Sequence, residues 1–233
     1  MIDKTATVDD AIGIVQAGDT VMVGGFGVPG TPFFLIDALL ARKTGDLTLV
    51  KNEANEAGMG LSKLLEAGMV RKLITSHLGL NSKAIAMMNS GQVEVAFYPQ
   101  GILAEKIRAG GAGLLGIVTD IGIDTILRQN KQIVTVDGRT AILEPALRAR
   151  VALIHAAVAD RAGNLVYARA ARNFNPLMAT AADIVIAEAE HVVAVGDLAP
   201  DAIHTPAAFV DHVVPIGTLS SQYGVLQHHV RGR

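Results

Sequence analysis

Short apolar runs alternate with longer amphipathic ones through the first hundred residues, and that alternation sets the expected fold. TVMV (20–23), LTLV (47–50), RKLITSHL (71–78) and VEVAFY (93–98) read as strands. The first two carry no charge on either face, as parallel strands covered on both sides do. The runs between them read as helices. One follows Thr7, with Asp10 three positions on as in a capping box, and ends at Gly18. Thr31 and Pro32 form an N-cap and N1 pair that opens PFFLIDALLARK. GLSKLLEAG, SKAIAMMNSG behind an Asn81 cap, and PQGILAEKIRAGG complete the set. The pattern predicts an α/β protein with an open, mostly parallel sheet and helices on both faces.

The second half is patterned differently. GGAGLLGIVTDIGIDT (110–125) is glycine-rich with weak periodicity and reads as a loop. QIVTV and TAILE flank Asp137-Gly138, a hairpin signal, so the C-terminal half contains a hairpin. VALIHAAVAD and NLVYA flank a second turn at 161–163. Asn175-Pro176 caps NPLMATAA; IVIAE, HVVAV and HVVPIG are further strands. There is no repeat or linker, so residues 1–233 form a single domain, with a loose tail from about 218.

VGGFGVPGTP contains Gly25, Gly27 and Gly30 in G-x-G-x-x-G spacing after a strand, and Glu53 follows the second strand. Both are features of a dinucleotide site. Two details oppose that reading. The helix begins only at Thr31 or Pro32, which leaves Gly30 outside it, and Pro29 and Pro32 remove N–H donors from the segment that would cradle pyrophosphate. A turn this poor in side chains suits an extended ligand lying on backbone, with Phe26 as an apolar contact.

Composition narrows the chemistry. The absence of cysteine excludes disulfides, thiolate metal sites and a cysteine nucleophile. A net charge of −2 without Trp gives no basis for nucleic-acid binding. No apolar run reaches membrane-spanning length and the N-terminus lacks a signal pattern, so a soluble, cytoplasmic protein is expected, with no membrane partner. The seven histidines form no H-E-x-x-H and no G-x-S-x-G occurs, so neither a metal nor a serine nucleophile is expected. A mean hydropathy of +0.38, spread evenly, suggests surface buried against a partner.

GGFGVPGTP (24–32), YPQGILAEKIRAGGAG (98–113), ADRAGNLVYARAARNFNP (159–176) and HTPAAFVDHVV (from His204) occur in order, and with them the chain resembles the A subunits of class I, 3-oxoacid-type coenzyme A transferases. The resemblance implies a CoA-transferase-like sheet and a partner B subunit, usually in a heterotetramer of two A and two B. It implies CoA transfer between carboxylic acids through a glutamyl-CoA thioester. The nucleophilic glutamate belongs to a Ser-Glu-Asn-Gly-like motif on B, which this chain lacks. No permanent cofactor is implied; the CoA thioester is a substrate, alongside a carboxylic acid.

The resemblance points to Asn52 and Gln100 as oxyanion donors, a task that suits amides because they donate without titrating. It points to Gly24, Gly25, Phe26, Gly27, Gly30, Gly110, Gly111 and Gly113 as the wall of the CoA and acyl channel; Lys106 and Arg108 flank the second glycine group, either to meet CoA phosphates or as solvated helix charges. Glu53 lies where it would touch substrate, and Glu105 pairs with Arg108. Asp120 and Asp124 depart from the family's pattern and would alter the acyl pocket; Arg150 departs from it through an ion-pair rearrangement. The alternatives are an NAD(P)-dependent oxidoreductase built on G-x-G-x-x-G and Glu53, and a non-catalytic relative of the fold.

Overall fold

A computed structural model describes residues 3–79 and 81–223. The first half follows β1 (Thr20–Val23), α2 (Phe33–Arg42), β2 (Leu47–Val50), α3 (Leu61–Glu66), β3 (Val70–Thr75), α4 (Ser82–Asn89) and β4 (Glu94–Phe97), preceded by α1 (Val8–Ile12). Then come α5 (Gln100–Gly111), β5 (Gly116–Thr119), β6 (Gln132–Val136), β7 (Arg139–Pro145), β8 (Ala149–Asp160), β9 (Leu165–Val166), α6 (Asn175–Thr180), β10 (Ala182–Val193) and β11 (His212–Pro215).

The main sheet runs β11-β10-β8-β1-β2-β3-β4, and every neighbouring pair is parallel. β9 adds to it antiparallel, as the second turn predicted. Strand order leaves β1 in both directions, towards β2 and towards β8, so the topological switch point lies between β1 and β8. Ligands bind at the carboxyl ends beside such a point. The apolar strands divide their side chains between two cores. Val21 and Val23, Leu47 and Leu49, and Val151 and Leu153 pack with α1 to α4 on one face. Met22, Val50, Ala152 and Ile154 meet α5 and α6 on the other. Helices therefore cover both faces, as the double-sided hydrophobicity of TVMV and LTLV required.

Several local expectations are corrected. The first helix stops at Ile12, capped by the Gly13 N–H, well before Gly18. The glycine-rich stretch contains a strand, β5, which joins the predicted β6–β7 hairpin in a separate antiparallel sheet ordered β5-β7-β6. The hairpin turn has positive φ at both Asp137 (48°) and Gly138 (76°), which matches the right-handed twist of its strands. Thr31 does not cap α2. Its hydroxyl donates to the Gly27 carbonyl at 2.7 Å, and the helix opens behind Pro32 with no cap from its own chain segment. Glu188 on β10 takes that role: its Oε2 accepts from the Leu35 N–H at 2.9 Å, a carboxylate at the positive end of the helix. Asn175 is likewise inside α6, with Phe174 as N-cap.

The tail is held further than expected. Gln222 accepts from the Gly60 N–H at 2.8 Å, and the Tyr223 hydroxyl donates to the Thr31 carbonyl while its ring packs edge-on to Phe33. The rest of the predicted loose tail, residues 224–233, lies outside the described residues.

Gly24 is fixed by packing, because a Cβ there would stand 1.8 Å from Asn175 Oδ1. At Gly45 nothing lies within 4 Å of an added Cβ. Gly24→Ala is expected to cost about 1–3 kcal/mol or more in thermal unfolding, whereas Gly45→Ala leaves the melting temperature unchanged or slightly raised.

Candidate active site

The carboxyl ends of β1, β2, β3 and β4 meet at one edge of the sheet. Each delivers a different piece. β1 runs into the turn 24–30, whose Gly25, Gly27 and Gly30 all have positive φ (96°, 60° and 73°). The turn closes on itself through the Phe26 N–H, which donates to the Pro29 carbonyl at 3.0 Å. β2 delivers Lys51, Asn52 and Glu53 in succession, and all three are buried. β3 ends beside Ser76, and β4 leads through Tyr98 and Pro99 to Gln100, the first residue of α5.

The two amides expected to act together are brought together, with a definite polarity. Gln100 Nε2 donates to Asn52 Oδ1 at 2.7 Å, and Ser76 Oγ lies 3.0 Å from the same oxygen. Asn52 Nδ2 donates to Glu53 Oε2 at 2.6 Å. Asn52 is therefore fully buried behind Gln100, and only Gln100 is exposed. A pair of donors side by side, as the resemblance implied, becomes a relay with one exposed end.

That end lies in a cleft of about 310 Å³ lined by Phe26, Gln100, Gly101, Ala104, Asn173, Phe174 and Leu177. Its walls come from the β1 turn, the first turns of α5, and the residues around the start of α6. No side chain caps α5, so the positive end of a helix of 12 residues faces the same region. The ARNFNP stretch supplies Asn173 and Phe174. It contributed to the family resemblance, but nothing in its local sequence signalled a cleft wall.

The glycines divide into groups. Gly27 has an open Cβ direction, its nearest neighbour being Pro29 at 4.0 Å, and Gly113 has nothing within 4 Å. Gly24 and Gly30 instead make room for Asn175, and Gly25 for Thr31. Gly110 and Gly111 press against Leu147 and Thr180 at the far end of α5, on the order of 15 Å from Gln100 along the helix axis. They pack α5 onto the protein rather than line the Gln100 cleft.

The charged residues are similarly sorted. Lys106 is buried; its Nζ donates to Glu144 Oε2 at 2.8 Å and sits over the Tyr98 ring, so it is not free for a phosphate. Burial alone would raise the Glu144 carboxyl, but hydrogen bonds and charge from Lys106 and Lys131 hold it below its ordinary value. Arg108 pairs with Glu105 as its spacing predicted. Asp120 pairs with Arg139 beside a different cleft, lined by Val118 and Val136, and so stays away from Gln100. Arg150 binds Asp19 at 2.6 Å, the ion-pair rearrangement expected of it.

Two buried charge clusters carried no sequence signal strong enough to read. Lys51 Nζ donates to Glu53 Oε1 at 2.9 Å and to Thr31 Oγ1 at 3.1 Å, and burial pushes its pKa down against the opposing pull of Glu53. A lysine directly after an uncharged, mostly apolar strand was the available hint. Across the switch point, His155 on β8 lies between Glu188 at 2.8 Å and Glu190 at 3.1 Å, with the Tyr223 ring 5.2 Å away. Among the described residues no group of three or more His, Cys, Asp or Glu could hold a metal ion. No helix of the described residues is long and apolar enough to cross a membrane.

A parallel sheet with a backbone turn at its switch point and an amide relay further along the same carboxyl edge defines an α/β protein whose polar groups gather at that edge. Comparison with known proteins makes the assignment specific: the coenzyme A transferase family matches residues 5–215, and the chain belongs to that family. It is 47% identical over 214 residues to the alpha subunit of acetate CoA-transferase from Escherichia coli K12, covering 92% of this chain and 97% of that one. It is 45% identical to the A subunit of the succinyl-CoA:3-ketoacid coenzyme A transferase of Xanthomonas campestris pv. campestris B100, covering 87% of this chain and 84% of the relative.

Among solved structures, the fold matches an acyl-CoA transferase from E. coli O157:H7 in a thioester complex with CoA, with a TM-score of 0.83 at 22% identity. The match covers 93% of this chain, which spans about half (48%) of that longer one. Glutaconate coenzyme A-transferase from Acidaminococcus fermentans aligns with a TM-score of 0.83 at 20% identity, over 94% of this chain and 77% of that chain. The oxidoreductase alternative has no support. Glu53, which a ribose would require, is committed to Lys51 and Asn52, and α2 begins at Phe33, three residues beyond Gly30.

The His155 cluster gives stability a pH dependence. Burial would depress the imidazole, but Glu188 and Glu190 outweigh it and raise its pKa above the ordinary 6.5; burial also raises the Glu188 carboxyl, against the pull of His155 and the Leu35 N–H. A raised folded value adds stability that is complete below the unfolded pKa and is lost as pH rises through the folded one. Melting temperature should therefore fall as pH is raised above 6.5 in the native protein, and fall less steeply in His155→Gln.

Proposed function

We propose that this chain is the A subunit of a heteromeric CoA-transferase that moves CoA between short-chain or 3-oxo carboxylic acids in the cytoplasm. It does so through a glutamyl-CoA thioester on a B subunit, in an assembly of two A and two B. One observation carries the divided-site reading. The cleft at Gln100 is lined by Phe, Gln, Gly, Ala, Asn and Leu, with no carboxylate, hydroxyl or amine to act as nucleophile. Such a cleft offers donors for a developing charge and needs its attacking group from elsewhere.

When a carboxylate attacks an acyl-CoA thioester, electron density moves from the carbonyl π bond onto its oxygen. A preorganised N–H aimed at that oxygen lowers the barrier. Gln100 Nε2 has one hydrogen committed to Asn52, and its second hydrogen, on a residue that lines the cleft, is the oxyanion donor. Asn52 acts behind it as the group that holds it. Phe26, Gly27 and Gly101 give the acyl chain and pantetheine arm a wall of backbone and one aromatic ring. Names of relatives that include acetate and 3-ketoacids support the substrate class, and a solved neighbour described as a thioester complex with CoA supports the thioester route.

The chain alone is expected to transfer no CoA, and co-expression with a B subunit should restore transfer of CoA from succinyl-CoA or acetyl-CoA to acetoacetate, giving acetoacetyl-CoA and free succinate or acetate. Full transferase activity of the isolated chain would overturn the divided site. In the assembled enzyme, Gln100→Ala should lower kcat by roughly 10²-fold, read by absorbance of the acetoacetyl-CoA enolate.

A further inference from the structure

We propose that Glu53 and Lys51 are a positioning pair for this reaction: Glu53 fixes which way the Asn52 amide points, and thereby aims the Gln100 donor. The inference rests on the assignment of Gln100 above and extends it to two residues with no role so far. It starts from polarity. Glu53 Oε1 is held by the Lys51 ammonium at 2.9 Å, so the paired carboxylate presents acceptors only. The Asn52 atom 2.6 Å from Oε2 must then be its NH₂, which turns Oδ1 towards Gln100. Gln100 meets that oxygen with Nε2 at 2.7 Å, so the bond to Asn52 fixes where its NH₂, and the second hydrogen on it, is held. Reversing either amide would set oxygen against oxygen. The orientation of an exposed glutamine is thus determined by a carboxylate two hydrogen bonds away.

Burial makes this determination strong. Lys51 and Asn52 are fully buried and Glu53 is 8% exposed, so water offers no competing partner for the chain of bonds. Lys51 is the countercharge that keeps a carboxylate tolerable at this depth, and it has a second arm. Its Nζ donates to Thr31 Oγ1, which passes its own hydrogen to the Gly27 carbonyl at 2.7 Å; Asn55 Nδ2 reaches the same carbonyl at 2.8 Å. One ion pair therefore sets both the amide donor and the backbone turn opposite it. This is a positioning role, since neither residue lines the cleft.

The test is a double-mutant cycle on the complex assembled with its B subunit, comparing Glu53→Gln, Gln100→Ala and the two together. Glutamine at 53 can meet Asn52 with either end, so kcat should fall roughly ten-fold with KM for the acyl-CoA nearly unchanged. The double variant should be no slower than Gln100→Ala alone, because with the donor gone its orientation no longer matters. Multiplied losses, or normal kcat in Glu53→Gln while Gln100→Ala is impaired, would overturn the positioning pair and leave the Gln100 assignment standing. Normal turnover in Gln100→Ala would instead remove that assignment and the pair with it. Since Glu53→Gln leaves Lys51 unpaired, Lys51→Met/Glu53→Gln serves as the variant free of buried charge. It should melt within a few degrees of the native chain and show the same loss of kcat, and native turnover in this variant would also refute the proposal.

Discussion

The fold at the switch point depends on one side chain wedged where two glycines leave room for it. Asn175 is fully buried. Its Nδ2 donates to the Gly30 carbonyl at 3.1 Å and to the Ala171 carbonyl at 2.7 Å, while Oδ1 accepts from the His155 N–H at 3.2 Å. The end of the β1 turn, the middle of β8 and the start of α6 are thereby tied at one point. A Cβ at Gly24 would collide with Oδ1, and one at Gly30 would stand 2.4 Å from the Ala171 carbonyl. The glycine pattern that resembles a phosphate cradle is thus largely a packing requirement. It brings the chain across the top of β1 and only then, after Pro32, releases it into α2.

That arrangement leaves a helix start and a strand edge in need of charge, and the two buried clusters meet those needs. Glu188 closes the open N-terminus of α2, and His155 compensates Glu188. Lys51 compensates Glu53, which in turn orders Asn52. Burying either charge alone would cost several kcal/mol, so each persists only because its partner is within hydrogen-bond distance. Neither pair lines the cleft. An anionic side chain on the cleft wall would repel both an incoming carboxylate and the acid it displaces. Keeping the titratable groups off the cleft wall retains their orienting power while the wall itself carries no charged side chain.

Much of this could be read from sequence wherever a physical signal is local. The parallel sheet followed from strands apolar on both faces, and the β6–β7 hairpin from Asp137-Gly138, whose positive φ values few other residue pairs adopt cheaply. Asn81 capped α4 as its position implied, accepting from the Ala84 N–H. The role proposed for Gln100 was suggested only by resemblance, since an isolated glutamine at a helix start more often reports a local turn. Elements that depend on distant partners were not legible. β5 is short, opens on a glycine and lies in a stretch of weak periodicity; its pairing with β7, which begins only at residue 139, is what makes it a strand. Thr31 looked like an N-cap because a cap is a local pattern; the real cap is Glu188, which lies 153 residues from Leu35 in sequence. Lys51 and Glu53 look like ordinary loop charges until β2 and β3 enclose them.

A cleft half open to water is a poor place to stabilise an oxyanion. Phe26 is 46% exposed and Gln100 is exposed beside it, so in the isolated chain solvent competes for the hydrogen proposed as the oxyanion donor. A fixed N–H is worth most where water is excluded and the local dielectric is low. The relay supplies direction, since Glu53, Asn52 and Gln100 are already ordered, but it does not supply the cover. A partner that brings a glutamate into such a cleft also brings the surface that closes it. Arrival of the nucleophile and exclusion of water then become one event, and the ordered amide gains its full electrostatic effect only when there is something for it to stabilise.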